Sequence, residues 1–368
     1  MAMPHDPVTP SAQQNPLIPL QVSKLGEPSS LAPTPLALPA RLLLRTSGRD
    51  AGTGQDGAGY DRDIALLLAA AAAWAYSDGK TLKRVLRTNW NTVTADPIPF
   101  TVSNGALLLD TQAFFVHVTL PGSDGTKPGS DGTELGILVF RGTEVGGVTL
   151  TDIYTDINAE TVAYPNAIGA SVHVGFLRSF KYLWPDVAHT LVENKVDHLF
   201  ITGHSLGGAL AVLAACELVE NSLSMLPRPL QKELHHAQLA FRGLYTFGQP
   251  MVGNQAFADH FQEIMGGKTF RHVYQSDIVP RLPPRTAGNF RHFGRELFGT
   301  QGSPWNERKI PVRQMFTATL SVPVGILAFV LRQLPAGRKL SLPVSLSDHL
   351  PQNYVDCSKL RNAATTYP

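Results

Sequence analysis

Cysteine is nearly missing. Cys216 and Cys357 are the only two in 368 residues, too few for a disulfide framework, and this scarcity points to a reducing compartment. Cys216 stands in the apolar helical run Ala211–Val219, where it reads as a small hydrophobe. Charge is sparse too: charged residues make up 16% of the chain and the formal net charge is +2. With no dense Lys/Arg stripe, nucleic acid is excluded as a partner. Long uninterrupted apolar runs are also lacking. Ile64–Ala75 is too short and too rich in alanine to span a bilayer. Met315–Leu331 is uncharged but carries Pro323 and Gly325, and it falls short of the roughly 20 residues a span needs. Nor does the N-terminus read as a secretory signal. Pro4, Pro7, Pro10, Pro16, Pro19, Pro28, Pro33, Pro35 and Pro39 interrupt the segment where an apolar helix would have to form. The expected location is therefore cytoplasmic or at a membrane periphery.

What is present is an apolar fraction of 43%, enough for one large core. Residues 1–60 read as a proline- and glycine-rich flexible leader. Residues 61–368 read as one domain with an apolar insert at about 299–347. Asp61–Tyr76 predicts a buried helix, and Ala106–Leu120 with Leu135–Arg141 predict a pair of strands. The segment PGSDGT occurs twice between those strands, at Pro121–Thr126 and Pro128–Thr133, as expected of a local duplication in an exposed hairpin tip. Further on, strands at His198–Thr202, Gly243–Phe247 and Phe270–Gln275 alternate with helices at Ser179–Asn194, Leu206–Leu218 and Asn254–Met265. This alternation predicts an α/β fold, a mostly parallel central sheet with helices on both faces.

Gly203-His204-Ser205-Leu206-Gly207 carries the strongest chemical signal. The pentapeptide alone recurs by chance, but here the apolar strand Leu199–Thr202 runs into it and an apolar helix runs out of it. A serine at such a tight turn is pushed out of the sheet's carboxyl edge, and the two glycines remove side chains that would collide across the bend. Ser205 is thus the candidate nucleophile. The N–H of Leu206, at a helix start, is a candidate oxyanion donor. A second donor should come from an earlier strand end, and Thr143 in Phe140-Arg141-Gly142-Thr143 is expected to supply it. Arg141 reads as a structural cation paired with Asp152 or Asp156.

A serine nucleophile needs an imidazole base, and the imidazole needs a carboxylate to hold it. Asp277 follows the strand Phe270–Gln275 and occupies the carboxyl end where such groups converge. Of the 12 histidines, the chain order Ser, acid, His leaves two candidates for the base, His349 and His292. His173 and His204 read as packing or supporting residues.

Together these segments resemble the class 3, or fungal lipase-like, family of α/β-hydrolases. Phe140–Thr143 resembles its strand-end F-R-G-[ST] oxyanion segment, and Val172–Phe176 its V-H-x-G-F stretch. Thr202–Leu210 resembles the long nucleophile elbow, Thr246–Pro250 the T-F-G-x-P segment, and Ser276–Pro280 the segment holding the acid. The resemblance covers roughly 61–354 and implies an α/β-hydrolase fold with a Ser205–Asp277–His349 triad. His349 with Asp348 and Tyr354 comes close to the family's late D-H-x-x-x-Y arrangement, with one residue more before the tyrosine. His292 resembles a non-catalytic histidine that follows the acid, and it stays the alternative base.

The family's lid, after the oxyanion strand, would fall at Glu144–Leu150, which is short and lacks the tryptophan that often follows. Met315–Leu331, flanked by Arg308, Lys309 and Arg313 and by Arg332, Arg338 and Lys339, is open to two readings. It either contacts a membrane interface peripherally or packs on the sheet. The expected activity is hydrolysis of lipid carboxylic esters of the triacylglycerol type through an acyl-enzyme, with a lipid ester as substrate and no metal or organic cofactor. Two alternatives stand beside it: a phospholipase acting on membrane glycerophospholipids, and a non-catalytic binding protein on the same fold.

Overall fold

The computed structural model describes residues 59–90, 96–104, 109–120, 133–142, 160–221, 223, 225–285, 288–309, 311–314, 345 and 347–359. The proline-rich leader up to residue 58, the duplicated PGSDGT segment, Thr143, Glu144–Leu150 and Met315–Leu331 lie outside the described residues.

The first helix, α1 (Arg62–Trp74), is buried over nearly its whole length. Asp61 starts it by accepting hydrogen bonds from the backbone N–H groups of Asp63 and Ile64 at 2.7 and 3.1 Å. A second helix, α2 (Gly79–Asn89), has no counterpart in the expectations above. Asp78 caps it, and Leu82, Val85 and Leu86 form its buried stripe. Two strands follow, β1 (Ile98–Asn104) and β2 (Leu109–Leu120), which pair antiparallel, and then β3 (Thr133–Phe140), antiparallel to β2.

The parallel part of the sheet is built by β6 (His198–His204), β7 (Phe241–Phe247), β9 (Thr269–Tyr274) and β11 (Arg295–Thr300). Side by side with β3, they run in the order β3-β6-β7-β9-β11 with every pairing parallel. The antiparallel strand β12 (Ser303–Glu307) closes the far edge, giving an 8-stranded sheet. A second, 4-stranded sheet is made of very short strands. They are β4 (Thr161–Ala163), β5 (Ser171–His173), β8 (Gly253–Asn254) and β10 (Phe290–Arg291).

Alternation along the strands feeds two cores. In β3, Leu138 and Phe140 face one cluster while Ile137 and Val139 face the other; in β6, Leu199 and Ile201 oppose Phe200. The first cluster takes α3 (Val174–Glu193), α4 (Leu206–Glu220), the short α5 (Arg228–Glu233) and α6 (His235–Ala240), and α7 (Gln255–Met265). The second takes α1, α2 and the late helix α8 (Pro351–Lys359). Each fully buried large apolar side chain contributes roughly 1.5–3 kcal/mol, so both faces help hold the sheet. The α/β arrangement with helices on both faces is the one the alternation predicts. Expected boundaries agree to within a few residues, apart from α3, which begins at Val174 rather than Ser179. The reason is a side-chain cap: His173 Nδ1 accepts from the N–H groups of Gly175 and Phe176 at 3.1 and 3.4 Å.

Candidate active site

Ser205 is the one residue between the end of β6 and the start of α4. Its φ of 58° and ψ of −132° lie where L-residues rarely go. The turn needs its glycines: a Cβ on Gly203 would sit 2.3 Å from the Gly207 carbonyl oxygen, and one on Gly207 would sit 2.2 Å from that of Phe140. The Ser205 N–H donates to Phe247 O at 2.9 Å, which ties the turn to the end of β7. Leu206 is the first residue of α4, so its N–H has no acceptor within the helix. The end of β3 closes against the same turn, since a Cβ on Gly142 would lie 3.0 Å from Ser205 Cβ. Thr143 is the next residue in the chain and lies outside the described ones. Arg141 is buried; it donates to Gln112 Oε1 at 2.6 Å and lies 5.9 Å from the Tyr76 ring centre. Its expected acidic partners, Asp152 and Asp156, are also outside the described residues.

Asp277 and His349 meet although they are far apart in sequence. His349 Nδ1 and Asp277 Oδ2 are 2.8 Å apart, and both side chains are buried. The other Asp277 oxygen accepts from the Val279 N–H at 2.9 Å. The Tyr354 hydroxyl also donates to Asp277 Oδ2. Burial, and next the charge of Asp277, pushes the Tyr354 hydroxyl well above its ordinary range, so it stays a donor. With the carboxylate accepting on Oδ2, the proton of His349 belongs on Nδ1, leaving Nε2 as the basic nitrogen. His349 Nε2 and Ser205 Oγ are both buried, and neither has a hydrogen-bond partner. Both are therefore uncommitted polar atoms at the carboxyl end of the sheet. A link between them runs through Gly248, which follows Phe247, the acceptor of the Ser205 N–H. A Cβ there would lie 2.8 Å from His349 Nδ1 and 2.9 Å from Asp277 Oδ2.

His204 holds this assembly from below. Its Nε2 lies 2.8 Å from the His349 carbonyl oxygen, and its Nδ1 lies 2.8 Å from the Tyr76 hydroxyl. Burial, then the neighbouring His349, keeps the His204 ring well below its ordinary pKa. A neutral ring with the proton on Nε2 satisfies both bonds, so Tyr76 and His204 together fix the backbone that carries His349. Sequence reading assigned His204 a packing or supporting role and missed Tyr76; its only signal was its place two residues past the end of α1. His292 lies elsewhere. Its Nε2 is 2.8 Å from the Pro280 carbonyl oxygen, so it fastens the loop after Asp277. Burial, then the charge of Arg271, holds it well below the usual histidine range. The structure brings Ser205, Leu206, Asp277 and His349 to one end of the sheet and does not bring His292 to the Asp277 carboxylate.

A mostly parallel sheet flanked by helices, with a serine on a strained turn between a strand and a helix, defines the α/β-hydrolase class. Residues 137–287 match the model of the lipase (class 3) family. It is 35% identical over 170 residues to a lipase of Rhizopus niveus, a match covering 45% of this chain and 39% of the relative. It is also 30% identical over 161 residues to "Secreted mono- and diacylglycerol lipase 1" of Fusarium solani, covering 42% of this chain and 41% of that protein. The matched stretch thus spans about two fifths of each of these relatives' length. Among solved structures, a Rhizomucor miehei lipase–propeptide complex has the same fold, with a TM-score of 0.50 and 22% identity. That alignment covers 88% of this chain and 95% of the other.

These relatives correct one expectation. A cytoplasmic or membrane-peripheral location is overturned by relatives that are secreted lipases. That expectation rested on the proline-interrupted N-terminus and on the scarcity of cysteine, and the two cysteines do not report a compartment. Cys216 and Cys357 are buried free thiols in separate cores on opposite faces of the sheet. Thiols packed that way are shielded whatever the redox state outside.

Proposed function

We propose that the chain hydrolyses carboxylic esters of lipids, acylglycerols first among them, with Ser205 as nucleophile, His349 as base and Asp277 as the carboxylate that orients it. The observation that carries this reading is the buried 2.8 Å pair of His349 Nδ1 and Asp277 Oδ2, at the same sheet end as a serine with φ 58°. His349 Nε2 takes the Ser205 proton as Oγ attacks the ester carbonyl. The tetrahedral oxyanion is met by the Leu206 N–H, with Thr143 as the second donor. The imidazolium then returns the proton to the leaving alcohol, and water repeats the sequence on the acyl-enzyme. His292 serves as an anchor of the acid loop. The named activity of secreted relatives favours action outside the cell.

Two measurements test this. A fluorophosphonate probe should label the wild-type chain on Ser205 and leave Ser205→Ala unlabelled; equal labelling of both would end the proposal. A panel of triacylglycerols, diacylglycerols, glycerophospholipids and short soluble esters fixes the substrate class. Acylglycerols are expected to turn over fastest, and faster glycerophospholipid turnover would replace the acylglycerol assignment with the phospholipase reading.

A further inference from the structure

A cavity of about 540 Å³, which Ser205 does not line, lies where the second sheet meets the segment 311–314. Its size falls in the range of small-ligand pockets, roughly 300–1,000 Å³. The lining is divided by polarity. Met251, Phe290 and Val312 are buried apolar side chains, whereas Arg285, Arg291 and Arg313 are exposed and belong to three separate stretches of chain. No acidic side chain lines it among the described residues. Gln314 fastens the wall: its Nε2 donates to Pro283 O and Gly288 O at 2.9 and 2.8 Å, and its Oε1 accepts from the Phe290 N–H at 3.2 Å. This wall is therefore held by hydrogen bonds of its own. None of the proposed catalytic side chains faces the cavity.

We propose that this cavity binds a long-chain carboxylate, with the acyl chain against Met251, Phe290 and Val312 and the carboxylate between Arg291 and Arg313. Guanidinium forks match a carboxylate two bonds at a time and stay charged at every accessible pH. The two guanidinium groups of Arg291 and Arg313 beside an apolar floor select an amphiphile with an anionic head over a neutral ester or a small inorganic anion. The site needs no turnover at Ser205, so it stands or falls independently of the hydrolytic reading.

The test is oleate binding to the full chain carrying Ser205→Ala, followed by titration calorimetry below the micelle concentration. Saturable binding is expected. Arg291→Gln/Arg313→Gln should weaken it by about tenfold or more, the size expected for losing hydrogen bonds to a charged group. The charge-matched control Arg178→Gln/Arg228→Gln, at exposed positions outside the cavity, should leave it within about twofold. Methyl oleate should bind at least about tenfold more weakly than oleate. The site is refuted by equal affinity for oleate and its methyl ester, by no effect of the Arg291/Arg313 pair, or by equal losses in both pairs. Tighter binding of an acyl phosphate monoester than of oleate would overturn the carboxylate assignment.

Discussion

At the scale of single residues, the site is held together by contacts that leave little room. Tyr354 donates to the carboxylate oxygen that also meets His349, and it is buried at 1% exposure. Tyr354→Phe keeps the ring and removes only that donor. A hydrogen bond to a charged group is worth about 1.5–3 kcal/mol, so kcat on a soluble ester should fall about tenfold or more with KM little changed. An unchanged kcat would show that Asp277 is positioned without the tyrosine. Gly248 is stricter. Its φ is +61°, and a side chain there meets both members of the His349–Asp277 pair. Gly248→Ala should cost about 1–2 kcal/mol for the backbone alone. It should also lose nearly all hydrolysis and fluorophosphonate labelling while the far-ultraviolet circular dichroism stays native. Full labelling of that variant would mean that the His349 ring can move aside without consequence.

At the scale of elements, the serine turn was legible because its signal is local: a strand, two glycines and a helix lie within a dozen residues of one another. The base was harder to read. Both His349 and His292 satisfy chain order, and only the fold decides which ring reaches the Asp277 carboxylate and which reaches the Pro280 carbonyl. The second sheet left no trace in the sequence, because strands such as Gly253–Asn254 and Phe290–Arg291 are too short to show a period. By contrast, α2 was there to be read in Asp78 followed by Leu82, Val85 and Leu86 at helical spacing. The start of α3 was hidden by an unusual cap. Histidine rarely plays this part, yet His173 Nδ1 accepts from two N–H groups at the first turn. His173→Ala should lower stability by about 1 kcal/mol, the usual worth of a side-chain cap, and His173→Asn should recover most of it in a denaturant titration. Equal losses in both variants would assign the effect to packing against Phe176 and Phe290 rather than to the cap.

For the molecule as a whole, the same rings set how stability responds to acid. Burial alone depresses His173 to about 4. Burial, then the hydrogen bond to Thr246 acting in the opposite sense and the charge of Arg271, leaves His272 at about 3. His204 and His292 are likewise held well below the ordinary 6.5. In each case the folded state refuses a proton that the unfolded chain accepts below pH 6.5, so the contribution is complete above that pH. It is lost as the pH falls from 6.5 towards the folded-state value, at about 1.4 kcal/mol per pH unit for each ring. The carboxylates with lowered values, Asp78, Asp96 and Glu307, titrate below this window and do not offset it. The urea midpoint should therefore drop steeply between pH 6.5 and pH 5. In His173→Asn, which keeps a cap but cannot titrate, the slope over that interval should be shallower by about 1.4 kcal/mol per pH unit. A wild-type profile flat from pH 7 to pH 5 would mean that the rings take up protons inside the folded chain. Such uptake would have to be accommodated first at His173, where a proton on Nδ1 displaces the two N–H groups that begin α3.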